Sequence, residues 1–210
     1  LRHRDVANLS DLVYHARVEA SRDVTACDPC GGSATVLAGL SAGVGPNATG
    51  PDGLTRIYGA DLTVKWRRNT SDAGWPFVHW MTEGVYRDYR ADDQVRVVDD
   101  GMGGTTDLSV ASRRYEDYGF YSQVVWGFGR PWTLGARFDW ARSDGVFDGD
   151  HRRVSVALSY YPSEFSRIRL EANYDDVDGL ADRFPGDRDA NWSVWLNFDF
   201  SLGKHGSHKF

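Results

Sequence analysis

Cysteine is nearly absent from this chain: in 210 residues there are two, Cys27 and Cys30, set together as Cys-Asp-Pro-Cys. One pair supplies neither the framework of a disulfide-stapled domain nor the four ligands of a structural zinc site. Basic charge is not in excess either. With 24 Lys+Arg against 30 Asp+Glu the net charge is -6, so phosphate backbones are repelled and nucleic acid is excluded as a partner. Long apolar runs are lacking. Stretches such as Val124 to Trp126 last only a few residues, against the ~20 that a membrane helix needs. Leu1 is followed by no basic-then-apolar secretory opening, and there is no initial Met. The expectation is that processing or truncation has removed the beginning.

What the chain does have is strand periodicity. Its 41% hydrophobic, 26% charged and 13% aromatic composition belongs to a folded protein, and the recurring period is two rather than 3.6. The clearest stretch is the last, where Trp192, Val194, Leu196, Phe198, Phe200 and Leu202 share one face, while Ser193, Trp195, Asn197, Asp199 and Ser201 share the other. The same split marks 14–20, 36–44, 58–67, 78–87, 120–128, 132–140, 153–160 and 167–174. About nine strands of roughly ten residues follow. All seven prolines fall between or at the edges of these stretches, as expected when strands are paired on both sides. Connections alternate. Gly129-Arg130-Pro131 and residues 162–165 are tight, whereas 88–115, 142–151 and 175–190 are long, polar and rich in Asp and Gly.

A soluble sandwich alternates too, so the occupants of each face decide the class. The polar face carries Arg17, Glu19, Asp61, Lys65, Arg67, Glu83, Arg87, Arg137, Asp139, Arg153, Arg167, Arg169, Glu171 and Asp199, too many charges for a packed core. Six of the eight tryptophans lie on the apolar face, several near strand ends, as in the aromatic girdles of membrane barrels. A soluble sandwich or lipocalin-like barrel would need helices or a second sheet over that face, and no helical stretch is available. The expected fold is all-β: one antiparallel up-and-down transmembrane β-barrel domain over 1–210, with 204–210 as a tail. Bacterial single-chain barrels have even strand numbers, so an odd number of strands upstream, or a tenth near Val95 to Val98, is expected.

The chain resembles bacterial outer-membrane β-barrels in its aromatic-rich final strand and terminal Phe210. More narrowly, the stretches Gly119 to Phe128, Tyr161 to Leu170 and Phe200 to Phe210 resemble a porin-like group of Gram-negative proteins. Its members are often labelled putative outer-membrane proteins or zinc-regulated TonB-dependent receptors. The similarity covers most of 54–210. It implies an outer-membrane location, contact with lipid and lipopolysaccharide, and an assembly signal at Trp192, Phe198, Phe200 and Phe210 read by the barrel-assembly machinery. If the C-terminus faces the periplasm, the tight turns fall on the periplasmic rim and the long loops outside.

Smaller motifs carry competing readings. His205 and His208 have a spacing that could share zinc, but two ligands are too few for a structural site, and a polar tail is the simpler account. The His-rich segment that related proteins often carry upstream is absent. Cys27 and Cys30, by parity in a periplasmic connection, suit a local disulfide, whereas a thioredoxin-like motif would open a helix that is missing here. Asp92-Asp93, Asp99-Asp100 and Asp175-Asp176 with Asp178 could hold Ca²⁺ or bridge lipopolysaccharide, yet no 12-residue calcium loop is present, which favours solvated loops. His151 near Asp148 and Asp150 has no nucleophile beside it, so no enzyme and no cofactor is expected. The functional expectation is a porin-like passage for small hydrophilic solutes or ions. The alternative is the barrel part of a TonB-dependent receptor with an upstream plug. Arg137, Arg167 and Arg169, if in register, would form a basic ladder favouring anions.

Overall fold

The computed structural model describes residues 8–25, 31–72, 74–99, 105–144, 149–178 and 189–201. After one 3₁₀ turn (Leu9–Asp11) come β1 (Tyr14–Thr25), β2 (Gly32–Pro46), β3 (Leu54–Asp72), β4 (Trp75–Ala91), β5 (Gln94–Asp99), β6 (Thr105–Val110), β7 (Arg113–Gly129), β8 (Trp132–Ser143), β9 (Gly149–Ser163), β10 (Ser166–Val177) and β11 (Ala190–Phe200). Nine of these form one sheet in the order β1-β2-β3-β4-β7-β8-β9-β10-β11, and every adjacent pair is antiparallel. The chain is therefore an up-and-down meander, as its alternation predicts.

Turn chemistry sets the short rim. β7 passes to β8 through Arg130 and Pro131, and β9 to β10 through Glu164 and Phe165. The turns are stitched to their neighbours: Tyr161 N donates to the Pro131 carbonyl at 3.0 Å, and Ser201 N to that of Phe165 at 2.9 Å. At the opposite rim, the β2–β3 loop is clamped to the end of β4. Asn47 Nδ2 donates to the Arg90 carbonyl at 2.9 Å, Asp52 N donates to Asp92 Oδ2 at 3.0 Å, and Asp92 N donates to Thr49 Oγ1 at 3.0 Å.

Val95 to Val98 do form a strand, β5, but it pairs with β6 as a separate two-stranded sheet and adds nothing to the wall. The long loop expected over 88–115 is also shorter, because β4 and β7 stay paired up to Ala91 and Arg113. Alternation is hidden there because both faces turn polar: Asp88, Arg90, Arg114 and Glu116 on one, Arg87, Tyr89, Tyr115 and Asp117 on the other.

Among the described residues no second sheet or helix packs over the nine strands, and no helix is long and apolar enough to cross a membrane. The sheet is open. Nine alternating strands make β1 and β11 run the same way, so an antiparallel closure of one on the other is ruled out.

Candidate functional site

Except at the register shifts beside three short turns, odd-numbered residues of the nine strands share one face and even-numbered residues the other. The odd face is the polar one, and it is the better buried. On β9, Ser155, Ala157 and Ser159 are buried while Val154, Val156 and Leu158 between them are exposed. Ala157 is the one buried hydrophobic residue among those described, against five buried polar residues, Thr133, Ser155, Ser159 and Asn173 on the odd face and Asp88 on the even one. Small residues on the polar side leave room for long neighbours such as Arg137, Arg153, Arg169 and Glu171 to lie across them.

Ion pairs organise that face, and the strand register explains each. Arg17 on β1 reaches over β2 to Asp61 on β3, its Nη1 2.7 Å from Oδ2, and also meets Glu19 at 3.3 Å. The strand between them carries Gly39 at the crossing, where a Cβ would lie 2.4 Å from Arg17 Nη2 and 2.5 Å from Asp61 Oδ2. Arg137 clasps Asp139 two residues along β8 and stacks its guanidinium 4.1 Å above the Tyr121 ring. Arg87 pairs with Asp117, which also accepts from Ser143 at 2.6 Å. Arg153 meets Asp175 at 2.5 Å, Arg167 meets Asp199 at 2.8 Å and Arg169 meets Glu171 at 2.5 Å. Glu83 bonds Tyr121. Lys65 stands opposite His79 in the register. Exposed pairs of this kind contribute about 0–1 kcal/mol each to folding, so their main effect is to fix where charge sits.

All fourteen charges expected on the polar face lie there, Arg67 included. The sequence reading missed Asp23, Arg113, Asp117 and Asp175, although parity alone would have found them; Arg113 and Asp175 lay in stretches taken for loops, and Asp23 and Asp117 just beyond the ends of the strands as read. With them the strands bring nine cations (Arg17, Lys65, Arg67, Arg87, Arg113, Arg137, Arg153, Arg167, Arg169) to nine carboxylates (Glu19, Asp23, Asp61, Glu83, Asp117, Asp139, Glu171, Asp175, Asp199).

One expectation is corrected. The basic ladder does not form: Arg137 lies in line with Ser155 and Asn173, while Arg169 lies in line with Ser159 and Thr133, four residues along, and each arginine holds its own carboxylate. His151 and Asp150, neighbours in sequence, face opposite sides of the sheet. Strand alternation sends His151 to Asp175 at 3.4 Å on the polar face and Asp150 to Arg152 at 3.0 Å on the other. Among the described residues no group of three or more His, Cys, Asp or Glu is placed to hold a metal ion. Asp92 serves the loop clamp described above, and Asp175 holds Arg153. Cys27, Cys30, Asp100, Asp148, His205, His208 and Phe210 lie outside the described residues.

The even face is apolar and bounded. Tyr58, Tyr86, Tyr118 and Trp140 edge it toward the long loops, and Trp66, Trp126, Trp132 and Tyr160 edge it toward the short turns. Rings pack along both edges: Tyr118 and Trp140 at 5.3 Å, Trp132 and Tyr160 at 4.7 Å, Tyr174 and Trp192 at 4.8 Å. From Trp132 to Trp140 the band spans about 26 Å along β8 at ~3.3 Å per residue.

Its upper limit descends across the sheet. The first charges above the band are Arg56, Asp88 and Glu116, level with one another on β3, β4 and β7; then Arg142, level with Tyr118; then Arg152 and Asp176, level with Trp140. That is a drop of about 13 Å over five strand spacings, about 24 Å, so the band runs about 30° off the perpendicular to the strands. Asp88 anchors the upper limit, accepting from Arg56 Nη1 at 3.0 Å and Arg114 Nε at 2.8 Å.

No family model matches the chain, and no solved structure matches it. A protein of Aquifex aeolicus (strain VF5), described as an uncharacterized protein, is 28% identical over 166 residues, covering 75% of this chain. The chain spans 31% of the length of that curated relative.

Proposed function

We propose that the nine-stranded sheet is part of the wall of an outer-membrane β-barrel, with its even face against lipid and its odd face lining an aqueous passage for small hydrophilic solutes or ions. The observation that carries this reading is the inverted burial. A large apolar surface lies uncovered while polar side chains are shielded, an arrangement that water would penalise by about 25 cal/mol for each Å² of apolar area and that lipid reverses. The aromatic edges and the band's height support it. A lean of about 30° brings the band to about 23 Å along its own normal, close to the ~25 Å apolar belt and the ~35–45° strand tilt of membrane barrels. The final strand, with Trp192, Phe198 and Phe200 all directed to the apolar face, suits a role as assembly signal. Since β1 and β11 run in parallel directions, the wall closes with an odd number of further strands.

Conductance tests the reading. The full-length protein, purified in detergent and added to a planar lipid bilayer, should give stepwise ohmic currents in potassium chloride. A protein that inserts and carries no current would exclude an open passage and favour the receptor reading, in which a plug fills the barrel. The relative's greater length leaves room for one there.

A further inference from the structure

The polar face is built mostly of paired charges, and one part of it departs from that plan. Across β9, β10 and β11 six residues frame a recess of about 350 Å³: Arg153, Glu171, Asn173, Ser193, Trp195 and Asn197. That volume falls within the range of small-ligand sites. Trp195 is an exception to the alternation, an indole on the hydrophilic side of a strand whose other odd residues from Ser193 to Asp199 are polar. Its Nε1 donates to Ser193 Oγ at 3.2 Å, which ties the ring down along the strand, and it remains 58% exposed. Cross-strand register sets Glu171 beside it, with Asn173 beside Ser193 and Arg169 beside Asn197.

Asn173 supplies an independent observation. It is only 4% exposed, its Nδ2 donates to Ser193 Oγ at 3.4 Å, and its Oδ1 has no partner. Buried amides are normally satisfied at both ends; this one lines the recess while its unpartnered oxygen is itself shut off from solvent. The charges around it cancel: Arg153 holds Asp175 and Arg169 holds Glu171. An anion would find no net positive field here, and a cation no net negative one. What the recess offers is a fixed aromatic ring, amide and hydroxyl groups that both donate and accept, and a carboxylate that accepts.

We propose that this recess binds a neutral sugar ring, with a C–H face of the sugar on Trp195 and its hydroxyls shared among Asn197, Glu171 and the Asn173 amide. The proposal rests on the polar face being open to solutes, as in the function proposed above, but its test does not depend on current. The full-length protein in detergent is titrated with glucose, galactose, N-acetylglucosamine and maltotriose, and in parallel with sodium phosphate. Calorimetry gives the affinity and tryptophan emission gives the site.

At least one sugar should bind and alter the emission, and phosphate should not. Trp195→Ala should weaken that sugar about tenfold, the scale of losing one aromatic platform. Trp195→Phe should keep most of the affinity while losing the emission change, and Asn173→Leu should weaken binding several-fold. Trp195 is exposed, so its variants should fold as the parent does, judged by the heat-shifted band on a gel. Absence of binding by all four sugars, unchanged affinity in Trp195→Ala, or binding of phosphate instead would each overturn the proposal. Sugar binding by a protein that carries no current would keep the site and remove the passage; current with no response to any sugar would do the reverse.

Discussion

Val156 and Ala157 are neighbours in the chain and opposites in the sheet. The larger and more hydrophobic of the two is 49% exposed, and the smaller is 8% exposed. A water-soluble domain orders such a pair the other way, because burying a valine side chain gains about 1.5–3 kcal/mol. The same inversion separates Leu158 from Ser159 on β9. The two faces are therefore stabilised by different means. The odd face is held by register-defined pairs such as Arg153–Asp175 and Arg167–Asp199. The even face has aromatic contacts at its edges and, between them, aliphatic side chains that nothing in the described chain covers. A bilayer around that face, as proposed above, would stabilise it without disturbing a single backbone hydrogen bond.

The largest expected effect comes from placing one charge on either face. Leu158→Arg on β9 should destabilise the folded state by about 2–4 kcal/mol, the range for arginine at the bilayer midplane. Thr35→Arg should change stability by less than about 0.5 kcal/mol. Thr35 is exposed on the odd face and donates to Asp23 at 2.7 Å, so the new guanidinium has a carboxylate at hand. Ser155 is a poor control because it is buried beneath its longer neighbours, and an arginine there would overpack the wall. Reversible urea titrations in lipid vesicles measure both variants. Similar costs at the two positions would mean that the even face is not lipid-facing.

A smaller effect is expected at the edge strand. Phe198 and Phe200 lie on the even face of β11, opposite Ile168 and Ser166. Replacing both with Ser should lower the amount of heat-shifted, folded protein in outer-membrane fractions several-fold while leaving synthesis unchanged. Normal levels of that band would show that the even face tolerates polarity at its end, and that the final strand is not read during assembly.

How much of this was legible depended on contrast between the faces. Where it was strong, as from Trp132 to Trp140 or Trp192 to Phe200, alternation located the strand and assigned each side chain to its side. Where both faces turn polar, as in Arg87 to Ala91 against Arg113 to Asp117, the period vanished. The strands were read too short, and Asp117 and Arg113 were lost from the polar face with them. Register was the second thing hidden. Alternation gives the face but not the partner, so the arginines of β8 and β10 looked able to stack until pairing set them four residues out of line. The recess at Trp195 was hidden differently: an indole among Ser, Asn and Asp reads as an imperfection in the pattern until cross-strand neighbours show what stands beside it.

That register decides the last and smallest expected effect, which concerns the odd face. Nine cations face nine carboxylates, and the arginines once expected to form a ladder are each held by a neighbouring acid. If the odd face lines a passage, a solute there would meet alternating signs at short range, and potentials of opposite sign cancel beyond the ~8–10 Å Debye length of physiological salt. The wild-type protein should therefore discriminate weakly between K⁺ and Cl⁻, with a reversal potential near zero across a salt gradient. Replacing Arg167 and Arg169 by Glu removes two positive charges, adds two negative ones, and leaves Asp199 and Glu171 beside like charges. Both positions lie on the odd face near the short turns, so folding should be little affected while the reversal potential moves toward that of potassium. Planar-bilayer recordings of the full-length protein under a potassium chloride gradient make the comparison. Strong selectivity of either sign in the wild type, or no shift in the double variant, would mean that this part of the odd face does not line the conducting path.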